Sequence, residues 1–547
     1  MQKLVDMPTP NIEPTGKIIL TEFTTSQDAT EHREAGAALF TPSEIKKVGV
    51  VGAGVMGRSI AEAIIYGGSS VILYDVNLPF AKSQLQLALE QIEKRIATGK
   101  APGIALSQVE LSVVDRIEGL AACDLVIEAI AENLPLKQEL FANLEKHLEP
   151  HAILATNTSS LSPNAIFSGL SNPARTIGLH FFNPATHMKL VEIVPTQATA
   201  AETITATFEF AARIGKSAVS AQVSPGFIVN RVARPFYSSS WRLLDESSLT
   251  PRDIDRLMVE CGGFRMGPFE LMDLIGHDVN EAVTKSVFEQ LYYDPKYRPS
   301  IRQRELVAAG HLGRKSGQGI YSYGQSAGNA RGTDTKVGGD VDDGTSKLSE
   351  TSKDKHGFTF NGIIGEELRP LLKNSSLSLA FNHGPDSHLL DGTTITITDG
   401  RCANDLEVVH GAKGAIVIDT YVDVDRTSAI AFARSKSVTD DQVAQVRALM
   451  ASCAIELIEV DDIPGLVVAR TIAGVVNIAC EIEGSKIASA ADIDLAMRLG
   501  VNYPCGPFEF ASRIGAGKIL DLLLRLSHFY GDGYFSPSIH LRHLATR

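Results

Sequence analysis

The sequence predicts an α/β domain of the Rossmann type, a doubly wound parallel sheet, followed by an all-α helical domain. A degenerate α/β segment and a second copy of the helical domain complete the chain. Three observations carry this reading. Residues 46–75 run strand, glycine turn, helix, strand. Strand-like and helical runs alternate until Pro225, where helical periodicity takes over. The heptapeptide "PGFIVNR" at 225–231 returns as "PGLVVAR" at 464–470.

In the first unit, "KKVGVV" is a short apolar strand, "VMGRSIAEAIIYGG" has helical spacing and "SVILYD" is a second strand. Residues 80–110 read as helical, with Lys82, Lys94, Arg95 and Lys100 on polar positions. "CDLVIEAI" (123–130) and "AILATNTS" (152–159) are buried strands, and "LPLKQELFANLEKHL" (134–148) is an amphipathic helix between them. Helical periodicity then runs from Pro225 to about 312, and "GRKSGQGIYSY" (313–323) closes that unit. Residues 325–356 are Gly, Ser, Thr and charge with almost nothing to bury, which reads as a flexible linker. "SLSLAF", "TTITITD", "GAIVIDTY" and "AIAFARSK" give further strands before a second helical unit. The expected domains are an extension at 1–44, a dinucleotide-binding domain at 45–223, helical copy 1 at 224–324, the linker, a degenerate Rossmann-like segment at 357–460 and helical copy 2 at 461–547.

Composition narrows the function classes. The chain has 547 residues, 64 acidic against 51 basic, and a net charge of −13. That balance lacks the basic footprint of a nucleic-acid binder. No apolar run reaches the ~18 residues of a membrane span. The first 44 residues carry Asp6, Glu13, Glu22, Asp28, Glu31 and Glu34, which suits neither a secretory signal nor an acid-poor transit peptide, and "KIILTEF" within them could add a strand. Six cysteines without CxxC or framework spacing read as reduced, structural thiols in the cytosol, and no metal site is expected.

The repeat has one offset. Pro225 and Pro464, the two Asp-Ile-Asp triplets at 253–255 and 492–494, and the two Gly-Pro-Phe-Glu turns at 267–270 and 506–509 all lie 239 residues apart. "RPSI" (298–301) and "SPSI" (536–539) extend it with a slip of one residue. The second copy keeps the Pro, Gly and Arg that caps and bends need, replaces Asn230 by Ala469, and has no counterpart of "GRKSGQGIY". No GxGxxG precedes it, so no dinucleotide is expected there.

In "GVVGAGVMG", Gly52, Gly54 and Gly57 have GxGxxG spacing in the required strand-to-helix context. The first permits the tight turn, the second lets backbone approach a pyrophosphate, and the third packs the helix on the sheet. Asp75 ends the next strand, where a carboxylate binds a ribose 2′-hydroxyl and disfavours a 2′-phosphate. This predicts NAD rather than NADP. In "TIGLHFFNPATHMKLVEIV" (176–194), a hairpin centred on Thr186 sets His180 opposite Glu192, with Cβ atoms about 5 Å apart. A carboxylate there fixes the imidazole tautomer and suits the ring to acid/base work. A lone His beside a Glu is more often structural, so spacing alone leaves both readings open. His187 sits in the turn without such a partner. In "TNTSS" (156–160), Ser159 or Ser160 could donate into the cleft at the carboxyl end of a strand, and Ser160 reads better as a helix N-cap.

Taken together, "GVVGAGVMG", "EAIAENLPLK", "NTSSL", "GLHFFNP…MKLVEIV", "PGFIVNR" and "GPFELMDLIG" resemble the L-3-hydroxyacyl-CoA dehydrogenase family, over about residues 46–324. The long form is similar to bacterial 3-hydroxybutyryl- or 3-hydroxyadipyl-CoA dehydrogenases, including the phenylacetate-pathway type. The resemblance implies a role in fatty acid β-oxidation or phenylacetate degradation. It implies that His180 takes the proton of the 3-hydroxyl as hydride leaves for NAD and that Glu192 orients His180. Ser159 and Asn230 would then hydrogen-bond the substrate, Asn183 would lie near the nicotinamide, and Glu132 and Lys137 would contact the cofactor. It also implies an acyl-CoA partner and one active site per chain. Lys94, Arg95 and Lys100 could meet CoA phosphates or be a solvated helix face. The internal copy could supply the contact that shorter relatives make between two chains, which leaves the homo-oligomer open. The competing expectations are a dehydrogenase of a non-CoA hydroxy acid and a non-catalytic NAD-binding protein on this fold. A hydratase–dehydrogenase finds no room before residue 46.

Overall fold

A computed structural model describes residues 44–100, 105–324, 359–360, 368–372, 380–381, 388–389, 393–411 and 413–546. These all belong to the unit Phe40–Arg547. Residues 1–43, with "KIILTEF", the expected linker at 325–356 and most of "SLSLAF" lie outside the described residues.

Eight strands form the first sheet. They are β1 (Lys47–Val51), β2 (Ser70–Tyr74), β3 (Leu111–Val114), β4 (Leu125–Glu128), β5 (Ile153–Thr156), β6 (Thr176–Phe181), β7 (Leu190–Pro195) and β8 (Ser217–Ser220). Their order is β3-β2-β1-β4-β5-β6-β7-β8; β7 pairs antiparallel with β6, and β8 is parallel to β7, so these two strands run against the other six. Strand order reverses between β1 and β4, which opens a crevice at the carboxyl ends of the strands.

The central strands are apolar on both faces because both faces are covered. Val48, Val50, Leu125, Ile127, Ile153 and Ala155 pack with Ile60 and Ile64 of helix Val55–Tyr66 and Phe210 of helix Ala201–Arg213. Val51, Val126 and Leu154 point the other way, onto Phe141 and Leu144 of helix Leu134–His147. The helix expected over 80–110 is shorter, Leu78–Ala97. Thr98 caps it and Gly99, at φ 67, turns the chain out of the helix. The edge strand β3 follows, too short to show in the sequence pattern.

The helical repeat is real in detail. Helices Pro251–Glu260, Pro268–Ile275, His277–Gln290 and Ile301–Ala308 have counterparts Ala490–Gly500, Pro507–Ile514, Ala516–Tyr530 and Ile539–Ala545. The turns repeat angle for angle. Gly226 and Gly465 have φ 71 and 72, and Phe227 and Leu466 have φ 45 and 46. The Asp-Ile-Asp and Gly-Pro-Phe-Glu motifs explain each other. Asp255 accepts from the amides of Phe269 and Glu270 at 2.8 and 3.0 Å, and Asp494 accepts from that of Phe508 at 2.8 Å. A Cβ on Gly267 or Gly506 would strike the matching Asp side chain at 2.3 Å.

The two copies pack on each other through helices Arg234–Glu246 and Val468–Gly484. Arg231 reaches Glu481 at 2.7 Å, and Arg470 reaches Glu246 at 3.0 Å, so the arginine of each repeated heptapeptide is paired with a glutamate of the other copy. The stretch 313–323 wraps Asp273, which accepts from the Ile320 and Tyr321 amides, each at 2.9 Å. In the second copy that position is Ser512, which has no carboxylate to accept from such amides.

Before the second copy lies a five-stranded sheet, which takes in Thr393–Ile397, Gly414–Ile418, Ala429–Arg434 and Glu456–Glu459 in sequence order. Its pairings are parallel, antiparallel, parallel, as in β5 to β8. The 239-residue offset carries β7 onto Ala429–Arg434 and β8 onto Glu456–Glu459.

Asp255 is buried and also accepts from the Tyr321 hydroxyl at 2.7 Å, so Asp255→Ala leaves three donors without this partner, the buried Phe269 amide among them. A loss of about 3 kcal/mol in urea unfolding is expected. The half-buried Asp494→Ala should cost less. Equal and small losses would show that these carboxylates do not hold the turns.

Candidate active site

The glycine turn is built by contact as much as by torsion. Gly52 has φ 97, and a Cβ there would lie 2.6 Å from the Ala129 oxygen. A Cβ on Gly57 would lie 1.8 Å from the Gly52 oxygen, so the helix could not approach the turn. A Cβ on Gly54 meets nothing within 4 Å, because Gly54 lines an open cavity of about 750 Å³ together with Gly52 and Asp75. Asp75 accepts from the Ala53 and Asn77 amides, each at 2.9 Å, which aims its carboxylate beside the turn. Glycines that clear the backbone, amides at a helix start and an acid at the next strand end fit an NAD molecule.

A second cavity of about 450 Å³ adjoins this one at Ala129 and Ile130. His180 lines it from the end of β6. The β6–β7 register pairs His180 with Glu192, as the hairpin spacing predicts. His180 Nδ1 lies 2.6 Å from Glu192 Oε2. Glu192 is fully buried, and its other oxygen accepts from the amides of Ile228 and Val229 at 3.1 and 3.0 Å. Gly226 and Phe227, both at positive φ, turn those two amides inward. With Nδ1 tied to the carboxylate, the exchangeable position left to the cleft is Nε2. Phe182 and Phe227 pack on the ring with centroids at 4.6 and 5.8 Å.

Ser159, Asn230, Asn183, Glu132 and Lys137 line the same cleft. The Ser159 amide donates to Glu132 Oε1 at 2.8 Å, and Thr158 Oγ1 donates to the same carboxylate at 3.0 Å. Lys137 is buried, 2.5 Å from Glu128 and 3.3 Å from Glu132. Among the described residues nothing ties the Asn230 side-chain amide, which leaves it available to a ligand. His187 is exposed, beside Thr186 Oγ1 at 3.0 Å and Arg95 at 3.4 Å. Arg95 itself stacks over the Tyr66 ring at 5.0 Å. Ser160 is not the expected cap, since helix Pro163–Ile166 begins after Ser162 and the Ser160 carbonyl accepts from Gln290. Lys216 donates to the carbonyls of Ala185 and Met188 and pins the turn that follows β6. Burial, then Arg95, pushes its ammonium down to about 8.

The buried Glu128 behind Lys137 and two cleft residues, Asn157 and Arg234, escape the sequence reading. Glu128 accepts from Thr156 Oγ1 and the Ile130 amide, both at 2.7 Å, beside the Lys137 pair. Asn157 accepts from the Phe181 amide at 2.8 Å. Arg234 lies one helical turn beyond Asn230 and is buried. A charged residue inside an apolar run, as Glu128 is in "CDLVIEAI", is the one signal that could have pointed to the first.

The second half keeps the frame and carries other residues at the positions of the candidate site. At the 239-residue offset His180 becomes Asp419, Glu192 becomes Ala431, Asn230 becomes Ala469 and Arg234 becomes Ala473. Asp419 takes over the capping task and accepts from the Val467, Val468 and Ala469 amides at 2.9, 2.7 and 3.0 Å. Burial pushes its carboxyl up to about 6.

The chain matches family models at three places. These are the NAD binding domain of 3-hydroxyacyl-CoA dehydrogenase at 47–224, the C-terminal domain of the same enzyme at 226–323 and again at 465–546, and the 3-hydroxybutyryl-CoA dehydrogenase reduced Rossmann-fold domain at 395–464. It is 37% identical over 503 residues to the 3-hydroxyadipyl-CoA dehydrogenase of Escherichia coli K12, covering 92% of this chain and 98% of that one. It is 36% identical over 287 residues to the mitochondrial hydroxyacyl-coenzyme A dehydrogenase of Sus scrofa, covering 51% of this chain and 91% of that one. A crystal structure of 3-hydroxybutyryl-CoA dehydrogenase from E. coli K12 superposes with a TM-score of 0.79 at 35% identity, covering 92% and 98% of the two chains.

Gly54→Ala should fold with an unchanged melting temperature and lose NADH affinity, read by fluorescence titration, because its methyl enters the cavity. Gly57→Ala should lower both. If Gly54→Ala binds NADH as the wild type does, the turn is not the cofactor site.

Proposed function

The chain belongs to the 3-hydroxyacyl-CoA dehydrogenase family, an NAD-dependent oxidoreductase family, and from that premise we propose how its one complete cleft works. The observation that carries the reading is the His180–Glu192 pair, buried side by side next to the glycine turn, with Ser159 and Asn230 on the same wall. His180 Nε2 takes the proton of the 3-hydroxyl during oxidation and returns it during reduction. NAD, when bound, supplies the acceptor for the hydrogen that leaves C3 with its electron pair. Glu192 keeps His180 in one tautomer and balances the imidazolium that forms, and the two backbone amides on Glu192 hold it in place. Ser159 and Asn230 hold the reacting oxygen and the thioester. Glu132, Lys137 and Asn183 border the cofactor side, where Lys137 spans Glu128 and Glu132 and so sets the Ser159 backbone through Glu132.

This assigns one catalytic dinucleotide domain with its helical domain, and a reduced Rossmann segment with a second helical domain that does no chemistry. Supporting that division, Asp419 and Ala431 stand where His180 and Glu192 would be needed. The acyl-CoA thioester is the substrate partner. The packing of the two helical copies within one chain supports a protein that does not need a second chain for this contact. No described helix is long and apolar enough to cross a membrane, and all six thiols are free, which supports a reducing compartment such as the cytosol.

Wild type should consume NADH with acetoacetyl-CoA. His180→Ala should lower kcat by about 10³-fold while NADH still binds, and Glu192→Gln by about 10²-fold. Wild type that binds NADH but is inert with acetoacetyl-CoA and longer 3-ketoacyl-CoAs would end the CoA reading. Asp419→Asn should lower the melting temperature and leave kcat within about twofold, since it weakens a cap in the half without chemistry. A large fall in kcat there would place the second half in the reaction.

A further inference from the structure

The cleft contains a charge that no carboxylate among the described residues balances. Four arginines are buried among the described residues: Arg175, Arg231, Arg234 and Arg470. Three face a carboxylate, with Arg175 3.9 Å from Glu145, Arg231 2.7 Å from Glu481 and Arg470 3.0 Å from Glu246. Arg234 faces none. Its only hydrogen bonds are to neutral oxygens, Thr284 Oγ1 at 2.7 Å and the Asn280 carbonyl at 3.5 Å, and its Nε has no partner. The guanidinium lies over the Tyr237 ring at 4.9 Å. It is 3% exposed.

A guanidinium stays charged at any pH at which a protein folds, so burial without a counter-ion is a standing cost unless a ligand supplies the anion. Burial pulls the Arg234 pKa down, and the influences opposing it are the phenols of Tyr237 and Tyr503, not an acid. The Tyr503 hydroxyl is a second buried polar group without a partner. The fork of Arg234 therefore has donors to spare in a place from which water is largely excluded.

The position says which anion. Arg234 and His180 line one cavity, and Asn230, four residues before Arg234, lies on the same wall. The same cavity has an apolar lining that includes Ile275, Val279, Val283 and, from the second helical copy, Val501. An acyl chain fits such a lining, and a carboxylate matches the bidentate geometry of the fork at its end. In the second half the corresponding residue is Ala473, so the cation is confined to the half with the His–Glu pair.

We propose that Arg234 is a specificity-determining residue that binds a carboxylate at the distal end of the acyl chain, so that the cleft prefers CoA thioesters of 3-hydroxy dicarboxylic acids. This rests on the dehydrogenase reading of the same cleft. The rival role for Arg234, polarising the thioester or keto oxygen, would act on every substrate alike.

The test is a ratio. NADH-dependent reduction of 3-oxoadipyl-CoA and of 3-oxohexanoyl-CoA, equal in length and differing in the terminal carboxylate, is compared by kcat/KM in wild type and in Arg234→Met. The wild-type ratio should be about 10² or more in favour of the dicarboxylic thioester, and Arg234→Met should bring it close to one, chiefly through the KM of the dicarboxylic substrate. A wild-type ratio near one overturns the proposal without any variant, and therefore holds even if the variant fails to fold. A high ratio that survives in Arg234→Met overturns it too, because the carboxylate is then held elsewhere. A fall in both substrates by the same factor assigns Arg234 the rival role. Wild type inert with both thioesters yet binding NADH would overturn the dehydrogenase reading itself, and the proposal with it.

Discussion

One buried carboxylate joins the sheet to the helices and organises the catalytic centre. Glu192 sits on β7 with no exposure, gives one oxygen to His180 and the other to the amides of Ile228 and Val229, where the helical domain begins. A buried anion is stable only if its lone pairs are used, and here they are divided between a ring and a helix start. The division makes geometry and chemistry inseparable. Moving the helical domain would leave Glu192 short of donors, and moving Glu192 would release His180. Gly226 and Phe227 accept left-handed backbone angles to present the amides, a cost of about 1 kcal/mol or more at Phe227. Such strain is kept because it aims two amides at a buried carboxylate.

The second half shows which part of this joint the fold needs. There the ring and the carboxylate are both gone from their positions, yet a carboxylate still caps the entering helix, now Asp419 on the strand that corresponds to β6. The acid has changed strands while its amide partners have stayed. Capping is a requirement of any helix start buried against a sheet. Pairing with an imidazole is a requirement of the reaction alone. The repeated Gly–Phe and Gly–Leu turns, at nearly the same angles, are the backbone price of the cap and not of catalysis.

These separate requirements decide what the sequence makes legible. The hairpin register of His180 and Glu192 could be read because a two-residue period leaves no freedom once the turn is centred. The helical repeat could be read because Pro, Gly and capping Asp are chemically specific and recur at a constant spacing. The same offset runs through β7 and β8, yet "GLHFF" and its counterpart "VIDTY" share no residue, since a buried strand constrains apolar character and little else. The short edge strand β3, just beyond the stretch read as helical, goes unread for the same reason: few residues and little pattern. Glu128 and Arg234 belong to a third kind. Their burial is set by neighbours remote in sequence, and a charged side chain in a helix reads as surface until those neighbours are in place.

Arg234 makes the role of the second half more than structural support. Gly500 and Val501, at the end of a helix in the second copy, line the catalytic cleft. A Cβ on Gly500 would lie 2.9 Å from Val229 and 2.8 Å from Leu190, so the copy sits against the first turn of the catalytic helical domain as closely as backbone allows. Tyr503, three residues on, packs its ring on Phe236 and Phe264 beside the guanidinium. A duplicated domain that has lost its own histidine, glutamate and asparagine thus closes the wall of the other site and helps exclude the water that would otherwise solvate Arg234. Exclusion of water is what turns one unpaired cation into a discriminating contact, because an anion gains most where solvent cannot compete. The second copy therefore contributes to the candidate site by its shape, through Gly500 and Val501, with alanine at the positions of Asn230 and Arg234.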